Sequence, residues 1–510
     1  MSLAVNIAMA AFLVLPLLAI VFLNLLKKET GSKIALQTGM VVSVAQIFFA
    51  VVTLIALWQI PENSLQFSIF WNMSADSAYF TVDVFSLIVL ICIGMVTLVS
   101  CCTGVRTLRG KDLNFTNIMM VLILGMNGIV MVNDLFSFYV FLEITAIASF
   151  ILIALYRDKK GLEGSFKYLI MSTVATIFLL LAMALMFMYT ESLSYEAIFA
   201  IFADWSTGAH PFYLVLALIL FITGISIKAG LVPFHNWLPD AYQAAPSAVS
   251  VVLGGIVTKV VGVYAIIRLM HGTFSEVFSM NYVLMMVGIL SVVLGAIVAY
   301  KQSDFKRILA YSSISQIGYI ILGVACGNVF GFIGAVLHFF NHATFKTTLF
   351  VNAAAVEKET GLSDVDRLGG LSKQMPITGI SSILAFLSAA GLPPLAGFWS
   401  KLFIIIALWQ AGFELMAFIA IFTSVFTLAY FLRLQRKVFF GPEVVYNAIW
   451  PMNYTKTVKN PDYQPIEVQI DINEPRNAMI FSQIFLSVVT VAVGILIPFI
   501  ISFLHLNGIF

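Results

Sequence analysis

Charged residues are scarce in this sequence, and their scarcity excludes a soluble globular protein. Of 510 residues, 10% are charged and 61% are hydrophobic, and the mean hydropathy is +1.01. A globular domain has about 25% charged and 45 to 50% apolar residues. A net charge of +2, without a long basic run, also excludes a nucleic-acid-binding protein. The composition predicts an all-α, polytopic membrane protein.

Cysteine is also rare, and its placement argues against a metal or redox centre. The four cysteines lie within or at the ends of apolar segments, and no Cys-x-x-Cys or Cys/His spacing accompanies them. This pattern argues against a disulfide framework, a zinc site or an iron–sulfur cluster. No nucleotide or cofactor motif is visible. We therefore expect this chain to bind no metal and no cofactor.

Long hydrophobic runs are abundant. Fourteen segments are long enough to cross a bilayer, which takes about 17 to 25 residues, and the run from 376 to 410 is too long for one straight helix. The first run has no basic leader or cleavage site, so we expect a membrane span rather than a signal peptide. The predicted spans are 3–26, 34–58, 78–101, 115–132, 135–156, 166–190, 211–232, 245–270, 282–300, 308–326, 329–356, 376–410, 412–434 and 478–504.

The basic residues predict the orientation of the chain. Twenty-two of the 27 Lys and Arg residues follow odd-numbered spans, and Arg268 alone lies in a loop after an even-numbered span. Lys and Arg concentrate in cytoplasmic loops. We therefore expect a multi-pass protein of the cell (inner) membrane with both termini on the outer face.

Four lysines lie inside predicted spans: Lys228, Lys259, Lys346 and Lys401. A charge at the bilayer centre costs about 2.5 to 3.5 kcal/mol on insertion scales, so such residues usually mark an ion or proton path. Glu143, in span 5, is the only acid at comparable depth, and Lys228 is its natural partner. A static ion pair between two helices is the alternative. Function is favoured, because an inert buried pair is often no more stable than apolar replacements.

A buried lysine is suited to proton transfer, because desolvation lowers the pKa of an amine and a nearby carboxylate raises it again. Lys259 lies near the middle of span 8, where a proton from Lys228 could reach it. In span 11, His338, His342 and Lys346 repeat every four residues and therefore share one helical face. We interpret this stripe as a polar relay. The alternatives are a hydrogen-bonded core and, less favoured, a metal site, for which no adjoining acid is available.

Two proline-containing hexamers indicate an internal repeat. AGLVPF (229–234) and AGLPPL (390–395) each interrupt a span, at Pro233 and Pro239 in the first case and at Pro393 and Pro394 in the second. Matching broken helices are typical of inverted-repeat transporters. Five spans separate the breaks, and an odd number reverses the orientation. We predict three N-terminal spans (1–110), a first repeat of spans 4 to 8 (111–272), a second of spans 9 to 13 (273–440), and a loop with the last span (441–510).

Four motifs in order resemble the antiporter-like subunits. They are VFLE in span 5, SIKAGLVPFHNWLPDAYQAAPSAVSVVLGGIVTK in spans 7 and 8, LHFFNHATFKTTLF in span 11 and AGLPPLAGFWSKLF in span 12. That superfamily includes Mrp-type Na⁺/H⁺ antiporter subunits (the D type above all) and the proton-channel subunits of respiratory complex I and membrane-bound hydrogenases. The resemblance implies fourteen helices with two inverted five-helix repeats. It also implies functional roles for Glu143 and Lys228 as a pair, Lys259 as the central lysine, the His338/His342 region, and Lys401 as the terminal lysine.

Three functions are compatible with these features. The first is a proton-translocating subunit, with or without sodium exchange, that acts with other membrane subunits of a larger oxidoreductase or antiporter complex in the lipid bilayer. The second is a solitary secondary carrier for a small solute. The third is an intramembrane enzyme, against which no Ser/His/Asp or HExxH arrangement is found. The polar segment from Gly441 to Pro475 is either a contact with a partner or a long loop.

Overall fold

The computed structural model describes residues 3–58, 64–67, 80–108, 110–203, 211–272, 278–444, 447–450, 466–469, 472–475 and 477–506. Most of the polar segment predicted between the last two spans lies outside these residues. So do four of the basic residues used for the orientation: Arg109, Lys456, Lys459 and Arg476.

Helices dominate the described residues, as the composition predicts. The only strands there form two antiparallel pairs, β1 (Ser64–Phe67) with β2 (Phe80–Asp83), and β3 (Asn447–Trp450) with β4 (Ile466–Gln469). The α-helices are α1 (Leu3–Leu25), α2 (Lys28–Trp58), α3 (Val84–Thr107), α4 (Asp112–Met131), α5 (Leu135–Ile153), α6 (Lys159–Thr190), α7 (Tyr195–Ala203), α8 (Phe212–Ala229), α9 (Trp237–Ala244), α10 (Ser247–Val252), α11 (Ala265–Gly272), α12 (Phe278–Lys301), α13 (Phe305–Ala325), α14 (Val329–Thr360), α15 (Pro376–Ala390), α16 (Ala396–Gln410), α17 (Glu414–Val438) and α18 (Ala478–Leu506).

Each of the fourteen predicted spans coincides with a helical stretch. Within the described residues, twelve stretches are long and apolar enough to cross a membrane. The other two predicted spans are α14, whose 32 residues include the His338 stripe, and the pair α15 and α16, which are 15 residues each. The prediction of an all-α, multi-span protein with broken helices is confirmed.

Span 8 lies in the centre of the bundle and is not a regular α-helix. Every residue from Ala248 to Ile267 is buried. Between α10 and α11 the hydrogen bonding is π-helical over Leu253–Val257 and Lys259–Tyr264. The sequence predicts one span here but not this widening. Single π-turns inside α-helices often mark functional sites.

The two predicted helix breaks are present. α8 ends at Ala229 and α9 begins at Trp237, while α15 ends at Ala390 and α16 begins at Ala396. Each first half ends on a left-handed residue that favours glycine, Gly230 (φ 68°) and Gly391 (φ 83°).

The prediction for one of the four break prolines is wrong. Pro233, Pro393 and Pro394 lie in the gaps, but Pro239 is the third residue of α9. The first four N–H groups of a helix have no intrahelical acceptor. The missing N–H of a proline is therefore tolerated at that position, and Pro239 helps to begin the second half-helix rather than to interrupt the first.

A second repeat signal appears at the ends of α6 and α14. Both helices have 32 residues, their first residues are numbered 159 and 329, and each is followed by a left-handed residue, Glu191 or Gly361. Asp134 caps α5 and bridges to Ser194, and Asp304 caps α13 and bridges to Asp364, with the same shift of 170 residues. α6 packs on both halves of the first broken helix, and α14 packs on both halves of the second. These corners support two related units, whose residue boundaries remain a prediction.

The second break should not tolerate a side chain at Gly397. A Cβ there would lie 1.8 Å from the main-chain oxygen of Ser388, so α15 and α16 would have to separate. Adding atoms to a well-packed core usually lowers the free energy of unfolding by about 1 to 3 kcal/mol, occasionally more. We expect Gly397→Ala to lower the midpoint of thermal unfolding in detergent. Gly379→Ala is the control, since its Cβ would meet its nearest atom at 3.5 Å. Equal midpoints for the two variants would contradict this packing.

Candidate functional site

Glu143 and Lys228 form an ion pair between α5 and the end of α8. Lys228 Nζ lies 2.8 Å from Glu143 Oε1 and donates a 2.6 Å hydrogen bond to Ser172 Oγ. Thr176 donates to the same Glu143 oxygen at 2.6 Å. The structure therefore brings together the two predicted residues and adds two hydroxyl groups of α6 to the pair. Charge-assisted hydrogen bonds of this kind are stronger than neutral ones.

The two partners differ in burial. The side chain of Lys228 is 0% exposed, while that of Glu143 is 25% exposed. The sequence predicts deep burial for Glu143, because its position along span 5 indicates its depth. Depth does not say which way a side chain faces, and this one remains partly on the surface of the isolated chain. In the isolated chain the acid therefore has one open side, whereas the amine has none.

Lys259 lies within the widened part of span 8. It is 0% exposed, and its ammonium donates to the main-chain oxygens of Gly254 (2.7 Å) and Gly255 (2.5 Å). Both acceptors belong to the first π-helical segment. These acceptors are main-chain oxygens, which carry no full charge. Lys259 therefore has no ion-pair partner among them, whereas Lys228 is paired with a carboxylate. One turn further, a Cβ on Gly262 would lie 2.5 Å from Ala229, so the residue after Lys228 packs directly on span 8.

The stripe on α14 is fully buried. His338 Nδ1 is 2.9 Å from Ser400 Oγ, and its Nε2 is 3.2 Å from Gln316 Oε1. Lys346 donates to the main-chain oxygen of Leu309 at 2.9 Å and to Ser312. His342 lies between them, with its ring stacked at 6.4 Å from that of His338. Neither nitrogen of His342 has a hydrogen-bond partner in the described part of the chain.

Three polar residues on the facing helix are not predicted from the sequence. Ser312, Gln316 and Tyr319 lie on α13 at intervals of four and three residues, so they share a face. Ser312 contacts Lys346, Gln316 contacts His338, and the ammonium of Lys401 lies 4.5 Å from the ring centroid of Tyr319. The stretch SSISQIGY in an apolar span carries this signal, which a search for charges alone overlooks.

Lys401 lies after the second break and lines a pocket. It is 3% exposed, and Nζ donates to Ser424 Oγ at 3.0 Å. The pocket is about 230 Å³, and its walls include Ile421 and Val425 of α17. Those two side chains are 44% and 63% exposed. The pocket therefore joins a buried ammonium to the outer surface of the bundle.

The buried ionisable groups form a row across the molecule, which we call the charged row. It consists of Lys228, Lys259, Lys346, His342, His338 and Lys401. A Cβ on Gly255, whose oxygen binds Lys259, would lie 2.6 Å from Thr347, the neighbour of Lys346. The rings of His342 and His338 lie 6.4 Å apart, and the ring of Tyr319 lies 6.0 Å from that of His338 and 4.5 Å from the ammonium of Lys401. Lys228 joins the row through the packing of α8 on span 8. Within the described residues, no three His, Cys, Asp or Glu side chains are grouped as metal ligands would be.

Residues 132–427, which contain Glu143 and the whole charged row, match the family model described as NADH:quinone oxidoreductase/Mrp antiporter, TM. The chain belongs to this family. The resemblance noted from the four sequence motifs is thereby confirmed. The matched range begins just before α5 and ends within α17, so the family model covers more than half of the chain.

Curated relatives in this family carry two kinds of name. NADH-quinone oxidoreductase subunit N of Desulforudis audaxviator is 36% identical over 316 residues, which are 61% of this chain and 61% of that protein. The D-type subunit of the Na(+)/H(+) antiporter of Alkalihalophilus pseudofirmus is 33% identical over 325 residues, which are 63% of this chain and 65% of that protein. The chain therefore matches less than two thirds of the length of each of these relatives.

Two solved structures share the fold of this family member over nearly its whole length. One is a chain of the Mrp complex from Dietzia sp. DQ12-45-1b, with a TM-score of 0.85 and 24% identity over 97% of this chain and 95% of that chain. The other is a chain of the membrane-bound sulfane sulfur reductase, an archaeal respiratory membrane complex, with a TM-score of 0.83 and 25% identity over 97% and 95%. Both belong to multisubunit membrane complexes.

Proposed function

We propose that this chain translocates protons, with or without exchange for sodium, as one membrane subunit of a multisubunit ion-pumping complex. The charged row is the observation that carries the proposal. Four lysines and two histidines lie buried in one bundle, and one of the lysines is paired with a partly accessible carboxylate. Ionisable groups inside a membrane are costly, and proton relays are among their known uses.

The Glu143–Lys228 pair supplies a means of loading and unloading a proton. While the carboxylate lies beside the amine, it stabilises the charged ammonium. When that carboxylate moves away or is neutralised by a proton, the buried ammonium loses its partner and releases its proton more readily. Because Glu143 is accessible and Lys228 is not, a neighbouring protein of the complex can act on the acid and thereby change the protonation of the amine.

The remainder of the row offers successive acceptors. Lys259 is held by main-chain oxygens, so losing its proton breaks no ion pair. His342 has no hydrogen bond to the described residues, so it can accept a proton at one ring nitrogen and release one from the other. His338 and Lys401 complete the path to the pocket beside α17. Water would join these groups, since a proton moves only along hydrogen-bonded partners.

An external source of energy is required. Moving one charge against 100 mV costs about 2.3 kcal/mol, and we expect this energy to come from partner subunits or from a second ion. One relative is named as an oxidoreductase subunit and the other as an antiporter subunit. These names support a complex driven by a redox reaction as well as one driven by exchange with a second ion. We place the protein in the cell (inner) membrane with both termini on the outer face, in line with its basic loops.

Copurification followed by reconstitution tests the proposal. We expect the tagged chain to be isolated in mild detergent with several other membrane proteins, with or without iron–sulfur subunits. In liposomes, the isolated complex should move protons when its redox substrate or an opposing sodium gradient is supplied. If the chain is isolated alone and transports a solute by itself, it is a solitary carrier and the proposal is wrong.

A further inference from the structure

A groove lies between α15 and α18 on the outer surface of the bundle. Its volume is about 530 Å³, and its lining residues Ile380, Ile484 and Val488 are 59%, 48% and 60% exposed. None of the described residues that line it is charged. The groove follows α18 from Gln483 to Ile495, a distance of about 18 Å at 1.5 Å per residue.

The groove is too narrow for an α-helix. A volume of about 530 Å³ spread over about 18 Å corresponds to a mean cross-section of about 30 Å². An α-helix with its side chains is about 10 to 12 Å across, which corresponds to at least about 80 Å². An extended apolar chain is thin enough to enter the groove, and a transmembrane helix is not.

The lining of the groove changes from polar to apolar along its length. α15 and α18 begin at the same end of the bundle, where the loops after odd-numbered spans lie. Gln483 and Ser487 lie toward that end, and Val491 and Ile495 line the deeper part. Gln483 is about 7 Å along α18 from its first residue, and the interfacial layer of a bilayer is about 5 to 8 Å thick on each side. The polar end therefore lies where the headgroup layer meets the hydrocarbon, as the polar part of a lipid does.

Two polar groups of the lining have no hydrogen-bond partner among the described residues. One is the hydroxyl of Ser487, and the other is one end of the Gln483 amide, whose side chain is 0% exposed. The other end of this amide lies 2.9 Å from Asn352 and 3.0 Å from Thr378. Because buried polar groups are nearly always paired, these two indicate that a polar group from another molecule enters the groove.

Both unpaired groups are hydrogen-bond donors. The oxygen and the nitrogen of an amide are distinguished by their partners. Asn352 is satisfied when its nitrogen donates to the main-chain oxygen of Thr348 at 3.3 Å and its oxygen accepts from the main-chain N–H of Ser382 at 3.1 Å. Its nitrogen then faces Gln483, so the Gln483 atom in that contact is the oxygen and the unpaired end is the NH₂ group. An NH₂ group and a hydroxyl can donate to two acceptors, such as the ester carbonyls of a glycerolipid.

We propose that the groove between α15 and α18 binds a glycerolipid of the membrane. One acyl chain lies along Val491 and Ile495, and the ester carbonyls accept from Gln483 and Ser487. The apolar contact supplies most of the binding, and the two donors select lipids that carry carbonyl oxygens at this depth. Through Gln483 the lipid also adjoins Asn352 of α14, the helix that carries the histidine stripe. This site goes beyond the proposed function and does not depend on it.

Two photoreactive lipids test the proposal. Both have the same headgroup and a diazirine on one hydrocarbon chain, but one has ester linkages and the other has ether linkages, which lack the carbonyl oxygens. The tagged chain, isolated with the proteins that copurify with it, is placed in liposomes that contain one probe and is irradiated, and labelled peptides are identified by mass spectrometry. We expect the ester probe to label the groove at least twofold more than the ether probe, since each net hydrogen bond corresponds to about two- to tenfold in affinity.

Three variants show whether the labelling comes from this site. Ser487→Ala should remove much of the preference for the ester probe without affecting assembly, because its hydroxyl has no partner to lose in the described part of the chain. Ala492→Phe, which places a ring in the groove, should lower labelling by both probes at least fivefold. Ala184→Phe, at an exposed alanine of α6, is the matched control and should leave the labelling unchanged.

Three results would overturn the proposal. They are equal labelling by the two probes, an undiminished ester preference in Ser487→Ala, and no labelling of the groove by either probe, which is the result expected if a partner protein covers it. Gel filtration of each variant shows whether it has assembled. None of these measurements depends on proton movement, so a failure of this inference is distinguishable from a failure of the proposed function.

Discussion

The Lys228→Ala variant should assemble with its partner subunits and translocate no protons. Assembly should survive because Glu143 keeps its hydrogen bond from Thr176 and is 25% exposed, so it can be solvated or take up a proton without its cation. Translocation should be lost because no other amine of the described residues lies in contact with the Glu143 carboxylate. The measurement is proton uptake into liposomes that contain the purified complex, after gel filtration has shown normal assembly.

Lys228→Arg distinguishes a relay from a static pair. Arginine keeps the positive charge and can pair with Glu143, but it does not lose its proton in proteins. A static pair would therefore tolerate arginine, whereas a relay would not. We expect this variant to be assembled and inactive. Lys373→Ala, at a lysine that is 80% exposed, serves as the control for losing a lysine, and its activity should be normal. Pumping at the normal stoichiometry in Lys228→Ala would refute the relay.

Lys259→Met should have an effect of the same size. Methionine has a similar length and removes the titratable group, while the surrounding bundle loses only hydrogen bonds to the oxygens of Gly254 and Gly255. Those oxygens lie in a helix and retain the capacity for main-chain bonds, so we expect normal assembly and no translocation. Proton uptake by the reconstituted complex is again the measurement, with Lys301→Met in the exposed last turn of α12 as the control.

If the protons follow a single serial path, the Lys228 and Lys259 variants should not have additive effects. If protons must pass both Lys228 and Lys259, either substitution costs the whole activity and the double variant is no worse, as for residues that act as a unit. If each single variant kept about half of the rate, the two lysines would serve separate paths, and the order of the charged row would have to be revised.

Much of this arrangement follows from the sequence, because the bilayer imposes simple rules. Apolar length predicts the fourteen spans, and a charge within a span predicts a buried ionisable group, as Lys259 and Lys401 illustrate. Proline beside glycine predicts the breaks at Pro233 and Pro393. In each case a large energetic cost, of burying a charge or of leaving a main-chain group unpaired in lipid, leaves few alternatives.

The features that the sequence does not predict depend on which way side chains face and on local hydrogen bonding. The partners of the row are neutral residues such as Ser172, Ser312 and Gln316, which are common in membrane helices and reveal their role only through their neighbours. The partial exposure of Glu143 depends on the packing of α5. The π-helical turns around Lys259 depend on close contacts made by glycines such as Gly254, against whose position Phe350 packs. The hydrogen-bond partners, the exposure of Glu143 and the π-helical turns all depend on residues that are distant in sequence, so the local sequence does not predict them.

The predicted repeat would make α6 and α14 corresponding helices, and their chemistry differs at the same places. With the shift of 170 residues, Tyr168, Ser172 and Thr176 on α6 correspond to His338, His342 and Lys346 on α14. In the earlier half these places hold neutral side chains, two of which hydrogen-bond the Glu143–Lys228 pair. In the later half they hold groups that can change charge. An ancestral duplication would thus have supplied the same helical framework twice. One copy would hold an ion pair in place with neutral hydroxyl groups, and the other would provide the side chains that gain and lose protons.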